Sequence, residues 1–339
     1  MKILSVTVPC YNSQEYMSKA IDSLLVGGDR VEIIIINDGS KDNTGAIADK
    51  YAEKYPDVVK VVHQENGGHG EGINQGLKHS TGKYFYVLDS DDWLEKDAFI
   101  KVLDKLEELE NVGGIDLMVA NYIYAHAIKR KRQVIKYKGT LPQNKIFGWE
   151  DTKKFKVWQC LTIHTCIFRR QLMLDSKVEL PKHTFYEDNL MVYIPLRHAQ
   201  KLYYMDVDLY SYYIGRPDQS VQEEVVKRRC LQQKYCSQRL ATTYNLTEIS
   251  KTEPKLARYL KHESELLLTI ATVVMRLNKT DAMEKENDAM WQAVIDFDPV
   301  MGKKMKNHSI CWWVTRPGKF GRWLAITAYR ISQMFVHLN

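Results

Sequence analysis

Three carboxylates lie close together in the chain at Asp89, Asp91 and Asp92, directly after an apolar segment over residues 83–88. The segment predicts a buried strand, and open α/β sheets bind their ligands at the carboxyl ends of their strands. Carboxylates at this spacing repel one another unless a cation lies between them. The turn therefore predicts a site for Mg²⁺ or Mn²⁺ that is shared with a substrate diphosphate. An acidic turn that caps a helix starting near Leu94 is the alternative, since Asp and Ser are favoured N-cap residues.

The segments before this turn alternate between strand and helix. Apolar, β-branched runs over residues 3–8, 31–36 and 58–62 predict buried strands, and a loop and a helix follow each of them. Such alternation is typical of an α/β fold with a doubly wound, mostly parallel sheet that gathers its loops on one rim. The acidic turn is expected on the same rim.

The pattern loosens in the second half of the chain. Two strands are expected, over residues 115–124 and 133–137, on either side of the basic tetrad 129–132. The tetrad predicts a solvated hairpin tip, with a phosphate-binding patch as the alternative. An extended, aromatic-rich segment over 201–213 is followed by mostly helical sequence, so we place a domain boundary near residue 220.

The positive charge of the chain is concentrated at its end. The net charge is +6, yet residues 299–339 hold seven basic side chains and no acidic one, which leaves the rest close to neutral. This asymmetry predicts a basic tail that meets an anionic partner, and it argues against a nucleic-acid-binding protein. Six cysteines without a Cys-x-x-Cys pair favour a reducing compartment. No segment has the apolar length of a signal-peptide core or a membrane span, so a cytoplasmic protein is expected.

Five short motifs occur in order along the first part of the chain. They are Val8-Pro9-Cys10-Tyr11-Asn12, Asn37-Asp38-Gly39-Ser40, Asn66-Gly67-Gly68 with Asn74, Asp89-Ser90-Asp91-Asp92, and Tyr186-Glu187-Asp188. In order and spacing they resemble family 2 glycosyltransferases of the GT-A fold, of the type that builds bacterial surface polysaccharides. The resemblance covers about residues 1–220, with a nucleotide-sugar-binding half over 1–110 and an acceptor-binding half over 111–220. Residues 221–339 then form a helical C-terminal region.

The resemblance implies a pocket for the base of a UDP-sugar. Asp38 is similar to the residue that accepts a hydrogen bond from the N3–H of uracil, a donor that cytosine lacks. Pro9 and Tyr11 resemble the wall on which the base packs, since an aromatic face suits a flat ring. Ordinary packing at the end of a strand is the alternative for Pro9.

The glycine-rich loop is implied to lie against the nucleotide. Asn66 and Gly67 would let the backbone approach it, and Asn74 on the next helix would hold the loop. An unbound flexible turn is the alternative for the glycines. Glu71 departs from the small residue common in the family, and His69 is a lone histidine. We interpret both as structural or rim residues rather than ligands.

The resemblance assigns the acidic turn to the ribose and the metal. Asp89 would contact the ribose and share the metal. Asp91 would coordinate the Mn²⁺ or Mg²⁺ ion, and Asp92 would support or share that role. The ion would stabilise the charge that builds on the departing nucleoside diphosphate.

A second acidic pair matches the family position of the general base. Inverting members displace the nucleotide directly, which needs one base to take the proton of the acceptor hydroxyl. Asp188, with Glu187 beside it, is similar to that base, and an N-cap pair at a helix start is the alternative. Residues 213–221 resemble the loop that closes over the diphosphate, and Arg216 is the phosphate contact that this likeness implies.

One motif of the family is absent from the chain. Processive synthases carry Gln-x-x-Arg-Trp near membrane spans, whereas Lys319 precedes Arg322-Trp323 here. The transfer of a single sugar is therefore favoured over polymerisation.

Residues 311–339 predict an amphipathic helix, and three of the seven tryptophans of the chain lie in this segment. With its basic charge, the segment is expected to contact an anionic membrane surface. Packing against the catalytic domain or a second subunit is the alternative. The apolar residues on one helical face are Phe320, Leu324, Ala328, Ile331 and Phe335.

The sequence thus predicts an inverting, metal-dependent glycosyltransferase at the inner face of the cell membrane. It would move one sugar from a UDP-sugar to a hydroxyl of a saccharide or a lipid-linked saccharide. A rival enzyme would transfer sugar to polyprenyl phosphate or use another nucleotide-sugar. A catalytically silent sugar-nucleotide binder or membrane scaffold is the alternative from another class. No nucleic-acid partner is expected, and the sequence leaves room for a homo-oligomer.

Overall fold

The computed structural model describes residues 2–126, 133–214 and 223–335. The basic tetrad 129–132 and Arg216 lie outside the described residues, so the interpretations of both stay predictions.

The chain divides into two compact units. The first is an α/β unit that comprises Met1–Lys153 and Leu161–Ile214. The second is a helical unit that comprises Lys154–Cys160 and Gly215–Asn339. No sequence feature indicated that the first, short piece would group with the helices. The expected boundary near residue 220 stays a prediction.

The described strands of the α/β unit form one ten-stranded sheet. Its strands are β1 Leu4–Cys10, β2 Val31–Asp38, β3 Val59–Gln64, β4 Tyr84–Val87, β5 Trp93–Leu94, β6 Leu117–His126, β7 Gln133–Ile135, β8 Ile146–Phe147, β9 Cys166–Arg169 and β10 Leu202–Ile214. The main path runs β3-β2-β1-β4-β9-β6-β10-β5, while β7 pairs with β6 and β8 with β10. The longer pairings, β1 with β2 and β4, β2 with β3 and β6 with β10, are parallel. The mixed, mostly parallel sheet confirms the predicted α/β fold class.

Helices cover both faces of this sheet. They are α1 Met17–Leu25, α2 Thr44–Lys54, α3 His69–His79, α4 Lys96–Glu110, α5 Arg170–Asp175 and α6 Asp188–Leu196. Side chains alternate between the two faces of a strand. On one face of β1, Val6 packs in the main core with Leu24 of α1 and Leu103 of α4. On the other face, Gly76 of α3 approaches Thr7 so closely that a Cβ atom would lie 2.0 Å from the threonine Oγ1. This contact holds α3 close against the middle of β1.

Three short strands, β5, β8 and β9, were not predicted. Trp93–Leu94 pairs with β10, and α4 therefore begins at Lys96 rather than near Leu94. The N-cap of α4 is Glu95, and its end has no side-chain cap, so the interpretation of the acidic turn as a helix cap is wrong. Strand β9 lies antiparallel between β4 and β6. Its four residues are too few for periodicity to separate a strand from a helical turn.

The helical unit is built around the long helix α10. Its helices are α7 Glu223–Arg228, α8 Cys230–Ala241, α9 Leu246–Thr252, α10 Pro254–Leu277, α11 Asp281–Phe297, α12 Pro299–His308, α13 Cys311–Val314 and α14 Gly318–Phe335. The fully buried Trp291 of α11 donates its indole N–H to Thr272 Oγ1 of α10, at 3.0 Å. Ala325 of α14 packs with Val273 and Val314. No helix in the described part of the chain combines the length and the apolar character that crossing a membrane requires.

Candidate active site

The loops that follow β1, β2, β3 and β4 meet at the carboxyl edge of the sheet, as the strand–helix alternation predicted. Ser13, after β1, shares a hydrogen bond of 2.8 Å with Ser90 of the acidic turn. The side chain of Asn66, after β3, donates to the backbone oxygen of Asp38 at the end of β2, at 2.9 Å. Residues from the separate motifs therefore lie in one site.

Asp38 is buried and organises the glycine-rich loop. Its carboxylate accepts hydrogen bonds from the backbone N–H of Gly67 at 2.7 Å and of Gly68 at 2.8 Å. The side-chain amide of Gln64 donates a third hydrogen bond at 2.7 Å. A carboxylate has about four acceptor sites, so one remains for a ligand such as the N3–H of uracil. The uracil role of Asp38 stays a prediction.

Tyr11 and Pro9 differ in their exposure. The side chain of Tyr11 is 51% exposed at the rim, so its ring is open to a ligand. Pro9 is buried in β1 beneath α3, where a Cβ atom on Gly72 would lie 3.0 Å from the proline Cβ. Strand-end packing thus accounts for Pro9, and its place in a base-binding wall stays a prediction.

Asn74 binds a segment that the sequence analysis did not connect with it. Its amide donates to the backbone oxygen of Leu180 at 2.9 Å, and its oxygen accepts from the backbone N–H of Leu180 at 3.0 Å. The backbone N–H of His183 donates to the oxygen of Gly67 at 2.8 Å. The segment before α6 is therefore fastened both to α3 and to the glycine-rich loop.

The carboxylates of the acidic turn have different environments. Asp92 is fully buried and accepts from the Tyr210 hydroxyl at 2.6 Å and from the backbone N–H of Tyr213 at 2.7 Å. Burial, and then the charges of Asp91 and Asp89, raise the pKa of Asp92 well above its usual value. Burial also opposes a charge on Asp89, but the neighbouring histidines His69 and His164 outweigh it and lower the pKa of Asp89.

A histidine that the sequence analysis did not select completes a candidate metal site. Asp89, Asp92 and His164 each offer a ligand atom, and these atoms lie within 4.8 Å of one another. The His164 ring packs between Tyr210 and Tyr212, with ring centroids at 4.6 and 4.7 Å, and its buried Nδ1 has no hydrogen-bond partner in the described part of the chain. The group does not include Asp91, whose role as a ligand stays a prediction.

The second acidic pair lies beside the acidic turn. Glu187 is only 2% exposed, and although it is the N-cap residue of α6, its carboxylate does not cap the helix. That carboxylate instead hydrogen-bonds to Nδ1 of His69 at 2.8 Å, and Nε2 of the same ring hydrogen-bonds to Asp89 at 2.9 Å. Asp188 follows in the first turn of α6. Burial first, and the charge of Glu187 second, raise the pKa of Asp188 to about 6.

His69 is the main departure from the sequence analysis, which interpreted it as a structural or rim residue. Burial opposes a charge on the imidazole, but Asp89 and Glu187 outweigh it and raise the pKa of His69 well above its usual value. Its position directly after Asn66-Gly67-Gly68, within the third motif, was the signal that the sequence offered. Glu71, the other residue so interpreted, accepts hydrogen bonds from Asn74 and Gln75 within α3.

Comparison with solved structures defines the class of fold. The chain matches S. aureus TarS residues 1–349, solved in complex with UDP-GlcNAc, with a TM-score of 0.54 and 19% identity over 91% of this chain and 93% of that chain. It also matches the mannosyltransferase PcManGT from Pyrobaculum calidifontis, solved with GDP-Man and Mn²⁺, with a TM-score of 0.50 and 14% identity over 92% and 88% of the two chains. At these identities the likeness shows the fold alone, which is the GT-A fold of glycosyltransferases.

Sequence comparison then identifies the family. A family model described as "Glycosyl transferase family 2" matches residues 5–174, about half of the chain. The chain belongs to glycosyl transferase family 2, which confirms the resemblance drawn from the motifs.

The curated relatives that the chain matches are partial counterparts. The minor teichoic acid biosynthesis protein GgaB of Bacillus subtilis (strain 168) is 34% identical over 124 residues, which are 36% of this chain and 14% of GgaB. An uncharacterized glycosyltransferase of Mycoplasma pneumoniae is 28% identical over 223 residues, which are 64% of this chain and 70% of that protein. The chain thus spans well under a quarter of GgaB.

Proposed function

We propose that this chain transfers a single sugar from a UDP-sugar to a hydroxyl acceptor, with inversion at the anomeric carbon and dependence on a divalent metal. One observation supports the proposal above all: the acidic turn lies next to Glu187 and Asp188. His69 connects the two, since it hydrogen-bonds to Asp89 on one side and to Glu187 on the other. TarS, which shares the fold, was solved with UDP-GlcNAc and with UDP. GgaB is named for teichoic acid biosynthesis, which supports an acceptor in surface-polysaccharide or glycolipid assembly.

The residues of the site fit a bound metal ion. Asp89, Asp92 and His164 would hold it, with Asp91 as a further ligand. A set of ligands that includes an imidazole suits Mn²⁺ better than Mg²⁺, which prefers oxygen ligands. A cation would also relieve the like charges that raise the pKa of Asp92. When bound, the ion stabilises the negative charge on the departing nucleoside diphosphate.

Asp188 acts as the general base. Its carboxylate accepts the proton of the acceptor hydroxyl, whose oxygen forms a bond to the anomeric carbon. The bond between that carbon and the diphosphate oxygen breaks on the opposite side, so the anomeric configuration inverts. A pKa of about 6 makes Asp188 a stronger base than an ordinary aspartate and leaves it ionised at neutral pH.

The nucleotide lies on the loops that follow β1, β2 and β3. Tyr11 offers an aromatic face to the uracil, and Asp38 offers the acceptor for its N3–H. Asn66 and Gly67 allow the backbone to approach the ribose and phosphates. The diphosphate contact proposed for Arg216 lies outside the described residues.

The proposal is tested by calorimetric titration of the protein with UDP, GDP, CDP and dTDP, each with and without Mn²⁺. UDP is expected to bind most tightly, and its affinity is expected to collapse without Mn²⁺ and in the variants Asp89→Ala and Asp91→Ala. Asp97→Ala, at an exposed position in the first turn of α4, is the matched control and should bind like the wild type.

The rival functions give different outcomes in these titrations and in an assay of UDP-sugar hydrolysis. Tighter binding of GDP or dTDP than of UDP would favour a donor with another nucleotide. Tight UDP binding with no hydrolysis of any UDP-sugar would favour the silent binder. The absence of metal-dependent binding for all four nucleotides would contradict the transferase proposal.

We propose in addition that the protein lies at the inner face of the cell membrane and contacts anionic lipid through α14. One face of α14 packs in the helical unit through Ala325, which is fully buried. Phe320 and Trp323 project elsewhere, with exposures of 68% and 59%, and their rings stack with centroids 6.0 Å apart. Exposed Lys319 is adjacent to them in the chain. Exposed aromatic rings beside cations match the headgroup region of an anionic membrane.

A further inference from the structure

One imidazole ring connects the two acidic parts of the site. Nε2 of His69 lies 2.9 Å from Oδ1 of Asp89, and Nδ1 lies 2.8 Å from Oε1 of Glu187. Both distances are those of hydrogen bonds. The ring therefore spans the gap between the turn that carries the metal and ribose contacts and the segment that carries the base.

The three residues come from separate elements of the α/β unit. His69 is the first residue of α3, Asp89 follows β4, and Glu187 immediately precedes α6. The backbone bond from His183 to Gly67 and the two bonds between Asn74 and Leu180 hold the segment before α6 to α3 and its loop. The His69 bridge connects the acidic turn to this assembly through Asp89. Hydrogen bonds to a charged group are about twice as strong as neutral ones. The two bonds of His69 therefore hold Asp89 and Glu187 firmly in position relative to each other.

The backbone around His69 is shaped for this close approach. Gly68 has a φ of 86°, a conformation that favours glycine. A Cβ atom on Gly70 would lie 2.8 Å from Cγ of Glu187. A side chain at Gly70 would push α3 away from Glu187, so the glycine brings the ring within reach of the buried acid.

We infer that His69 is a positioning residue that holds Asp89 and Glu187 in one arrangement and, through Glu187, fixes the neighbouring base Asp188. The inference rests on the proposed function, since Asp89 is assigned there to the donor and Asp188 to proton transfer. The bridge makes the two halves of the site dependent on each other: loosening one acid displaces the other. His69 itself touches neither donor nor acceptor in this scheme.

The test compares His69→Gln with His63→Gln. A glutamine amide has donors only on its nitrogen, so it cannot donate to acids on both sides as the imidazole ring does. His63 is the matched control in the same unit, because its ring nitrogens also hydrogen-bond on two sides, to Asn37 and Asp49, both at 2.9 Å. The measurements are Mn²⁺-dependent binding of UDP, hydrolysis of a UDP-sugar that the wild type accepts, and the melting temperature.

His69→Gln is expected to lower kcat by about 10- to 100-fold at a temperature where the variant is still fully folded, the loss typical of one or two charge-assisted hydrogen bonds. Its melting temperature is expected to fall by a few degrees, because the buried Glu187 loses a partner. His63→Gln should stay within about twofold of the wild type in kcat, as for surface substitutions. Glu187→Ala removes the acceptor on the other side of the bridge and serves also if His69→Gln does not fold. Adding His69→Gln to Glu187→Ala should lower kcat by less than about threefold further, because the bridge is already broken.

The outcomes separate this inference from the proposed function. If the wild type binds UDP with Mn²⁺ and hydrolyses a UDP-sugar while His69→Gln retains full kcat, the inference alone is overturned. Fully multiplicative losses in the double variant, or a fall in kcat that follows the melting temperature, would also overturn it. If the wild type neither binds UDP nor hydrolyses any UDP-sugar, the proposed function is overturned and the inference with it.

Discussion

Asp188 is the residue whose protonation state matters most for the proposed reaction. A general base works in its ionised form, and burial together with Glu187 raises its pKa to about 6. The value of kcat/KM is therefore expected to fall tenfold for each pH unit below about 6. With an ordinary aspartate as the base, kcat/KM would stay constant down to about pH 4. Steady-state rates with a UDP-sugar over the range from pH 5 to pH 8 measure this profile.

A variant that lacks the base tests the same role of Asp188. Asp188→Asn keeps the size of the side chain, and we expect it to lower kcat by about 10²- to 10⁴-fold while UDP affinity is kept. Asp175→Asn, an exposed aspartate in the last turn of α5, is the control and should leave kcat unchanged. Full activity of Asp188→Asn would assign the base elsewhere.

Sequence predicted the acidic residues of the site better than the histidines. Asp89, Asp92, Glu187 and Asp188 stand in short motifs with fixed neighbours, so order and spacing along the chain were enough to select them. His164 lies far from the acidic turn in sequence and reaches it only because β9 enters the sheet beside β4. A lone histidine carries no periodicity or spacing that points to such a partner.

Helix α3 is the element on which the geometry of the site depends, since it begins at His69 and packs on β1. A Cβ atom on Gly76 would lie 2.0 Å from Oγ1 and 2.4 Å from Cβ of Thr7. Because Thr7 Cβ is fixed to the strand, no rotamer relieves the clash, and the helix has to move. Overpacking costs about 1–3 kcal/mol, which exceeds the gain of about 1 kcal/mol from alanine in a helix.

Gly76→Ala is therefore expected to lower the free energy of unfolding by about 1–2 kcal/mol and to weaken the His69 bridge as α3 shifts. Urea denaturation measures the first effect and kcat the second. Lys78→Ala, exposed on the same helix, is the control and should change stability by less than about 0.5 kcal/mol. A Gly76→Ala protein as stable and active as the wild type would show that α3 tolerates displacement.

The sheet was predictable where its strands are long and apolar. Strands β1 and β2 are buried along their whole length and gave continuous β-branched runs. Strands β5 and β8 have two residues each, and their pairing with β10 depends on contacts between distant segments. A short segment of sequence does not indicate which distant strand it pairs with. For this reason the start of α4 was predicted too early.

The charge of the C-terminal region is partly compensated within the helical unit. Arg322 lies 3.1 Å from Glu284, and Arg330 lies 2.5 Å from Glu223. Both arginines belong to the seven basic side chains of residues 299–339, a segment without an acidic residue, and their partners come from elsewhere in the chain. The attraction to an anionic surface must then come mainly from the remaining basic residues. They are Lys303, Lys304, Lys306, Arg316 and Lys319.

Membrane contact through α14 is tested by cosedimentation of the whole protein with vesicles. Binding is expected for vesicles that contain anionic phospholipid, and it should weaken as salt screens the lysines. Trp323→Ala combined with Phe320→Ala should lower the partition coefficient by about a hundredfold or more, because each ring contributes about 1.5–3 kcal/mol on burial. Trp158→Ala removes an exposed tryptophan outside the tail and should have no effect. If the double variant instead converts a dimer to a monomer and leaves vesicle binding unchanged, the exposed face of α14 packs against a second subunit.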